Sequence, residues 1–384
     1  MAKVRPTAAR QDILSMKPGK HPVISCYLKL EERDRVKKKY LTKARNRVKE
    51  LEYALPSMGW DKHEQDAIRV DLARVLDYLS DESLLPDSQG VAIFACKATG
   101  LFDIRPLPRV HRSRLVVDRT PLVRELATSQ AEFGKLFTVT LDRTSALIWE
   151  VTAYEAKVVQ KVTWEVTRGG RYHAAGARGD ATGEFAFHNR IRDEKRRHLE
   201  TVARALFDLD RKSPGHEIVI AASGNDAAAL EPFLHTYLAE RLIGFARMSL
   251  KDAKPAAVHQ LTMEVRAEHA RNLDSQHIEE LAEGLGTGWA LNGVRETLNA
   301  LSQGKIRFLI VRGEAVVPGF RSLKTGRLST QVRDLREDGD VVPTVDVIDD
   351  AIEEALRQRV SLDVIYDAEL ADAVDGLAGL LRFK

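Results

Sequence analysis

Arg168, Arg171 and Arg178 stand in a glycine-rich stretch, and Arg190, Arg192, Arg196 and Arg197 follow it closely, so residues 168–200 gather many guanidinium groups on one short piece of chain. Such planar forks hold phosphate oxygens and base edges and stay charged at any working pH. The chemistry on offer is recognition of a phosphate backbone. Gly169, Gly170, Gly176, Gly179 and Gly183 sit among small residues with almost no apolar bulk, so this loop cannot bury itself and is expected to be ordered only by a ligand. From Asn189 onward the periodicity turns helical: Phe187, Ile191, Leu199, Val202 and Leu206 fall near one meridian, and Arg190 and Arg197 fall opposite. Lys195 lands on the apolar meridian and must snorkel or find an acid.

Other candidates for chemistry are weaker. His173, beside Tyr172, could stack on an exposed base or move a proton, although a lone loop histidine is more often simply solvated. His188 and His198 lack the spacing of a metal-binding pair on a helix. Asp142, Glu165 and Asp180 could be imagined as a nuclease carboxylate set, but capping of turns is the plainer role for each. No catalytic residue, metal ligand or cofactor is assigned.

Charge is segregated along the chain although the total nearly cancels, with 59 Lys and Arg against 56 Asp and Glu. Residues 33–49 hold nine Lys or Arg against one Asp, and Lys37, Lys38, Lys39, Lys43, Arg45 and Arg47 are candidates to follow RNA phosphates. The alternative is a solvated helix face. Residues 337–354 hold eight Asp or Glu and no Lys or Arg, and this run is expected to face solvent or a basic partner.

These residues need a scaffold, and 384 residues allow two or three domains at roughly 100 to 200 residues each. Hydrophobic content of 44% with 30% charged residues describes a soluble protein, and no run approaches the ~18 apolar residues of a membrane span. The N-terminus shows no apolar signal region, and Cys26 and Cys96 form neither a disulfide framework nor a CxxC pair, so a cytoplasmic setting is expected. The patterns predict an α/β (α+β) protein of three domains. Residues 1–132 read as strand, long basic helix, helix and two strands. Residues 133–270 read as an antiparallel meander (137–166), the Gly-rich loop, the basic helix, a buried strand at EIVIAA and a helix from about Asp226 to Leu242, with a boundary in the charged stretch Ala267 to Gln276. Residues 271–384 alternate helix and strand as a compact α/β layer, opening with a helix over His277 to Leu301 that EGLGTGW interrupts.

Three blocks carry a resemblance. TRGG, a loop and RIRDEKRRHLETVARAL, then GVRETLNALSQGKIRFLIV, then SLDVIYDAELADAVDGLAGLLRF follow in order over about residues 135–384. Together they resemble the archaeal and eukaryotic class-1 release factors and Pelota, and most closely their divergent bacterial relatives, which include the Balon-type hibernation factors. The resemblance implies a central RNase H-like mixed sheet with helices and a C-terminal layer similar to kink-turn-binding ribosomal proteins. It also implies the A site of a bacterial 70S ribosome as partner, ribosomal RNA as the surface touched, and delivery by a translational GTPase, EF-Tu or another. No P-loop occurs in this chain, so it does not bring its own GTPase.

One departure bears on activity. Where the family places Gln after Gly-Gly, this chain has Arg171, and no Gln occurs from Lys161 to His259. In the family that Gln helps place a water at the ester bond of peptidyl-tRNA. The expectation is a non-enzymatic ribosome-binding factor acting in hibernation, protection or rescue of ribosomes, with Arg168, Gly169, Gly170, Arg171, His173, Arg178, Arg190, Arg192, Arg196 and Arg197 on RNA in the central domain. The competing reading is a peptidyl-tRNA hydrolase, peptide-release or tRNA-cleaving enzyme that uses other loop residues. An RNA-binding protein that never meets the ribosome is a third. No stop-codon motif is found in residues 1–130, so the N-terminal domain is expected to be a different module.

Overall fold

The run VISCYLK is apolar without alternation, which suits a strand covered on both faces, and it forms β1 (Val23–Lys29) at an inner position of a four-stranded sheet. The computed structural model describes residues 13–16, 19–164, 181–224 and 226–383, with the backbone alone for Ser15, Ala131, 181–188 and 190. After β1 come a short α1 (Glu32–Arg35), the basic α2 (Lys39–Ala54) and α3 (Lys62–Ser80). Pro56 sits in the 3-10 turn that ends α2. Asp61 and Glu64 start α3 with a reciprocal box: the Asp61 carboxylate accepts from Glu64 N at 2.7 Å, and the Glu64 carboxylate accepts from Asp61 N at 2.9 Å. Strands β2 (Gly90–Cys96), β3 (Leu101–Leu107) and β4 (Arg114–Asp118) complete an antiparallel sheet of order β3-β2-β1-β4. Ile24, Cys26, Leu28, Leu72 and Val75 share one core, and Tyr27, Phe94, Leu122 and Leu126 share another. Helix α4 (Arg124–Glu132) ends this segment.

The central segment forms the expected mixed sheet. Strands β5 (Leu136–Leu141), β6 (Ser145–Val151) and β7 (Ala156–Thr163) make the antiparallel meander. After α5 (Ala181–Lys212) the chain returns as β8 (Glu217–Ala222), parallel to β5, giving the order β7-β6-β5-β8-β9 with β9 at Leu242–Arg247. One expectation fails here. The helix predicted over Asp226 to Leu242 is replaced by turns, a 3-10 turn and a short α6 (Thr236–Ala239), because Pro232 removes a donor just where a helix would need it. The stretch Ala267 to Gln276, predicted as a boundary, contains the division between two compact units at Asn272 and Leu273, and the chain crosses it as one continuous helix, α7 (Pro255–Thr287). Its first half buries Val258 in one core and its second half buries Leu281 in another, so no single apolar stripe runs its length and the charged middle looks like a linker.

The last segment adds β10 (Ala290–Asn292), α8 (Val294–Ser302), β11 (Ile306–Arg312), β12 (Gly319–Ser322), β13 (Leu328–Ser329), β14 (Val341–Thr344), α9 (Val347–Arg357), β15 (Ser361–Ile365), α10 (Ala368–Ala371) and β16 (Leu377–Leu381). The helix expected over His277 to Leu301 with an interruption at EGLGTGW is the end of α7, a strand and α8; Gly288, within EGLGTGW, and Gly293 have positive φ and mark the breaks. The main sheet has the order β10-β16-β11-β15, with α8 packed on β11 and β16 and α9 on β11 and β15. The terminal GLAGLLRF supplies buried Leu377, Ala378 and Leu380, as core rather than ligand site.

Contacts divide the chain into two compact units, Met1–Glu132 with Leu273–Lys384, and Phe133–Asn272. Inside the first unit the acidic run behaves unlike a solvent face. Asp346, Asp349, Asp350 and Glu353 of α9 and its N-cap are buried. Arg124 Nη2 donates to Asp346 at 2.9 Å, and Arg114 Nη1 lies 3.3 Å from the same oxygen. The Asp349 carboxylate accepts from Val123 N at 2.8 Å and Arg124 N at 2.9 Å, capping α4 from the far end of the chain. Arg321 Nη2 pairs with Asp350 at 2.9 Å and Glu353 at 2.8 Å. The expectation that this run faces solvent or a partner is therefore wrong for these four acids, whose partners lie in other elements of the same unit.

Burial raises Asp349 to about 6 against the pull of Arg124, and raises Asp350 to about 7 against Arg321. Both folded values exceed the usual carboxylate range, so between about pH 4 and pH 7 the folded unit holds protons that the unfolded chain has released. Stability is then highest at the acidic end of that window and falls as pH rises through it. The melting midpoint of the first unit should increase when pH is lowered from about 8 to about 5, and Asp350→Asn should flatten the trend. A midpoint that drops over the same range means that these carboxylates are ionised throughout.

Candidate nucleic-acid interface

Helix α5 places Leu199, Val202 and Leu206 in the core against β5, β6 and β8 residues such as Val139, Ile148 and Ile220, as the periodicity predicts. Lys195, expected to pair or snorkel, pairs with Asp226 at 2.6 Å. The opposite face carries the cations. Arg192, Arg196 and Arg197 are exposed; Arg192 donates to the Asn189 side chain at 3.0 Å, and Arg196 lies 3.6 Å from Glu200, one helical turn on. The side chain of Arg190 is outside the described residues. So are Arg168, Gly169, Gly170, Arg171, His173 and Arg178, together with Glu165 and Asp180.

This helix also carries a regularity that a count of charges does not show. Arg190, Arg197, Arg204 and Arg211 recur every seventh residue, a spacing that drifts only ~20° per step around an α-helix and advances ~10 Å along it. Arg197, Arg204 and Arg211 are exposed, and none forms an ion pair among the described residues. Glu200 and Asp208 lie close by on the same face, so the stripe is a mixed one and its net field is moderate. The signal is present in the sequence as a heptad of a single residue type.

At the base of the loop, Asp142 is a turn residue. Its Oδ1 accepts from Thr144 N at 2.7 Å, Thr144 Oγ1 at 3.0 Å and Ser145 N at 2.8 Å, which occupies it in closing the β5–β6 hairpin. His198 is buried, and burial lowers its pKa, which favours the neutral ring. Among the described residues no group of three or more His, Cys, Asp or Glu could hold a metal ion. Both cysteines are buried free thiols, and burial pushes Cys26 up to about 12. No helix of the described residues is long and apolar enough to cross a membrane.

The N-terminal basic run is sorted by the fold. Lys39, Lys43 and Arg47 repeat every fourth residue along one side of α2 and line a cleft of ≈ 650 Å³ whose other cations are Lys29, Arg33, Arg112 and Arg114. Lys37, Lys38 and Arg45 are exposed but do not line it. Lys38 pairs with Glu82 at 3.3 Å and Lys43 with Asp34 at 2.9 Å. Lys29 of β1, and Arg112 and Arg114 at β4, lie far from the run in sequence, so charge clustering along the chain could not reveal them.

Residues 121–267 match the sequence profile of bacterial archaeo-eukaryotic release factor family 10. No curated protein matches the chain. Among solved structures, an archaeal translation termination factor aligns at 16% identity and TM-score 0.25, covering 94% of this chain and 92% of its own. Pelota from Archaeoglobus fulgidus aligns at 13% identity and TM-score 0.33, covering 77% and 79%. S. cerevisiae Dom34, a translation termination-like factor of RNA quality control, aligns at 13% identity and TM-score 0.37, covering 77% and 79%.

Proposed function

We propose that this chain, release-factor-like in its central segment, is a translation factor that binds the bacterial 70S ribosome at the A site, contacts ribosomal RNA and does not hydrolyse peptidyl-tRNA. Its role in this reading is hibernation or protection of idle ribosomes, or rescue of stalled ones, with delivery by a translational GTPase such as EF-Tu. The observation that carries the reading lies within the profile-matched segment: Arg171 follows Gly169-Gly170 at the position where the release factors that the chain resembles place Gln, and the helix after that loop presents exposed arginines. A guanidinium offers only donors, so it cannot both donate and accept while positioning a water. It can hold a phosphate or a base edge, which converts a hydrolytic loop into a binding loop.

The test has two readouts on the full chain. Co-sedimentation with 70S ribosomes is expected, with log affinity falling against log salt by about 0.9 per phosphate contact on duplex-like backbone. Labelled peptide on programmed ribosomes is expected to stay bound at the level of buffer alone. Absence of co-sedimentation sinks the ribosome reading, and robust peptide release makes the chain an enzyme with His173 as the first residue to mutate.

A further inference from the structure

We propose that the cleft between α2 and β4 is a binding site for the phosphodiester backbone of RNA, spanning more than one phosphate and reading no base. This rests on the ribosome reading and adds to it a second RNA contact, in the first unit. Seven cations line the cleft, Lys29, Arg33, Lys39, Lys43, Arg47, Arg112 and Arg114, against the single acid Asp34. Such an excess in a concave surface concentrates positive potential more than the mixed face of α5 does.

Three observations narrow the ligand. Asp34 is already paired with Lys43, and Arg33, Arg47 and Arg114 also have acids at 2.8, 2.7 and 3.3 Å, but Lys29, Lys39 and Arg112 have no ion pair among the described residues. Those three cations are the ones left to meet an outside anion. Helix α2 begins at the cleft in an unusual way: its N-cap is Lys38 in the left-handed conformation (φ 48), with no side-chain cap and no acid in the first turn. Leu41 N donates to Lys38 O at 3.0 Å, but no side chain caps the first turn and no acid offsets the positive end of the helix, which favours an anion beside Lys39. A cationic residue in a conformation that L side chains seldom adopt is a local cost retained at this position.

Length and lining then choose the source of phosphate. Lys39 to Arg47 spans eight residues of helix, about 12 Å, longer than one phosphate group. No Phe, Tyr or Trp lines the cleft, and His111, the one ring present, is stacked on Tyr366 at 3.5 Å. A mononucleotide would find no platform for its base, whereas a polynucleotide backbone needs none. The site is one for consecutive phosphates, indifferent to sequence.

The experiment compares two triple variants of the full chain with equal change in charge. Lys29→Glu, Lys39→Glu and Arg112→Glu strike the cleft; Lys49→Glu, Lys62→Glu and Lys97→Glu strike exposed cations of the same unit outside it. Circular dichroism melts confirm that both fold. Anisotropy with a mixed-sequence single-stranded RNA should show a loss of roughly 10- to 100-fold for the cleft variant and a salt slope lower by about 0.7 for each phosphate left without its cation, with little change for the control. Millimolar inorganic phosphate or a mononucleotide, at matched ionic strength, should not displace the RNA; displacement would make the site one for a small anion and overturn the proposal. Equal losses in both variants reduce the cleft to general charge, and no loss in either removes it. Ribosome sedimentation of the wild type is run beside these: wild type bound to ribosomes with an inert cleft sinks only this inference, and wild type that binds RNA through the cleft but never sediments with ribosomes sinks only the function.

Discussion

Replacing Arg124 by Met is expected to lower the unfolding free energy of the first unit by about 3–5 kcal/mol, because it leaves a buried carboxylate without its principal counter-ion. Arg124 and Asp346 are each 2% exposed at the side chain and lie 2.9 Å apart. The same guanidinium donates to the carbonyls of Gly313 at 3.0 Å and Ala315 at 2.6 Å, so three acceptors lose a donor at once. Met fits the volume but satisfies none of them. Arg114, at 3.3 Å from Asp346, compensates in part, which keeps the loss finite. Chemical denaturation of the variant should show the loss, and Arg124→Met with Asp346→Asn should recover much of it by removing the orphaned charge. A single variant within about 1 kcal/mol of wild type means that the pair is solvated and carries little.

That junction also shows what the sequence can and cannot say. The periodicity of DVIDDAIEEALR predicts a helix, and α9 is that helix, but its acids read as solvent-facing because nothing local marks them as paired. The partners of Asp346, Arg114 and Arg124, are more than two hundred residues away in sequence, 222 for Arg124, and Arg321, the partner of Asp350 and Glu353, is 32 residues from Glu353. A charge run is read correctly as a surface only when no distant cation returns to it. The same limit applies to the cleft. Lys39 and Lys43 are legible from the run in α2, while Lys29, Arg112 and Arg114 are brought opposite by the β1–β4 pairing, with Cys26 against Leu115 and Tyr27 against Arg114. Strands with clear bounds are the legible ones: β1, β5, β8 and β11 each stand where apolar runs end in polar or glycine residues. A misreading falls after β8, where a proline-broken turn replaces the helix expected after Asp226, whereas the charged stretch of α7, where the core it serves changes, is legible as a division of the chain. Arg171, on which the proposed function turns, stands out only beside the release-factor pattern that the sequence resembles.

The face of α5 makes the other large prediction. Arg197→Ala, Arg204→Ala and Arg211→Ala together should weaken ribosome binding by roughly 100-fold at moderate salt and lower the log–log salt slope by nearly three, at about 0.9 for each phosphate of a duplex-like backbone that goes without its cation. All three side chains are exposed, form no ion pair among the described residues and recur along one meridian, so they can meet successive phosphates at once. Alanine keeps the helix, since it has the highest helix propensity and introduces no acid beside Glu200 or Asp208. The expected change in stability is small, because exposed charges of this kind contribute little to folding. Binding and folding are thereby separated in one variant. If sedimentation with ribosomes is unchanged while the melt is also unchanged, the stripe from Arg197 to Arg211 is a solvated face neutralised by its own acids, and the RNA contacts of the central unit must come from the Gly-rich loop and the start of α5.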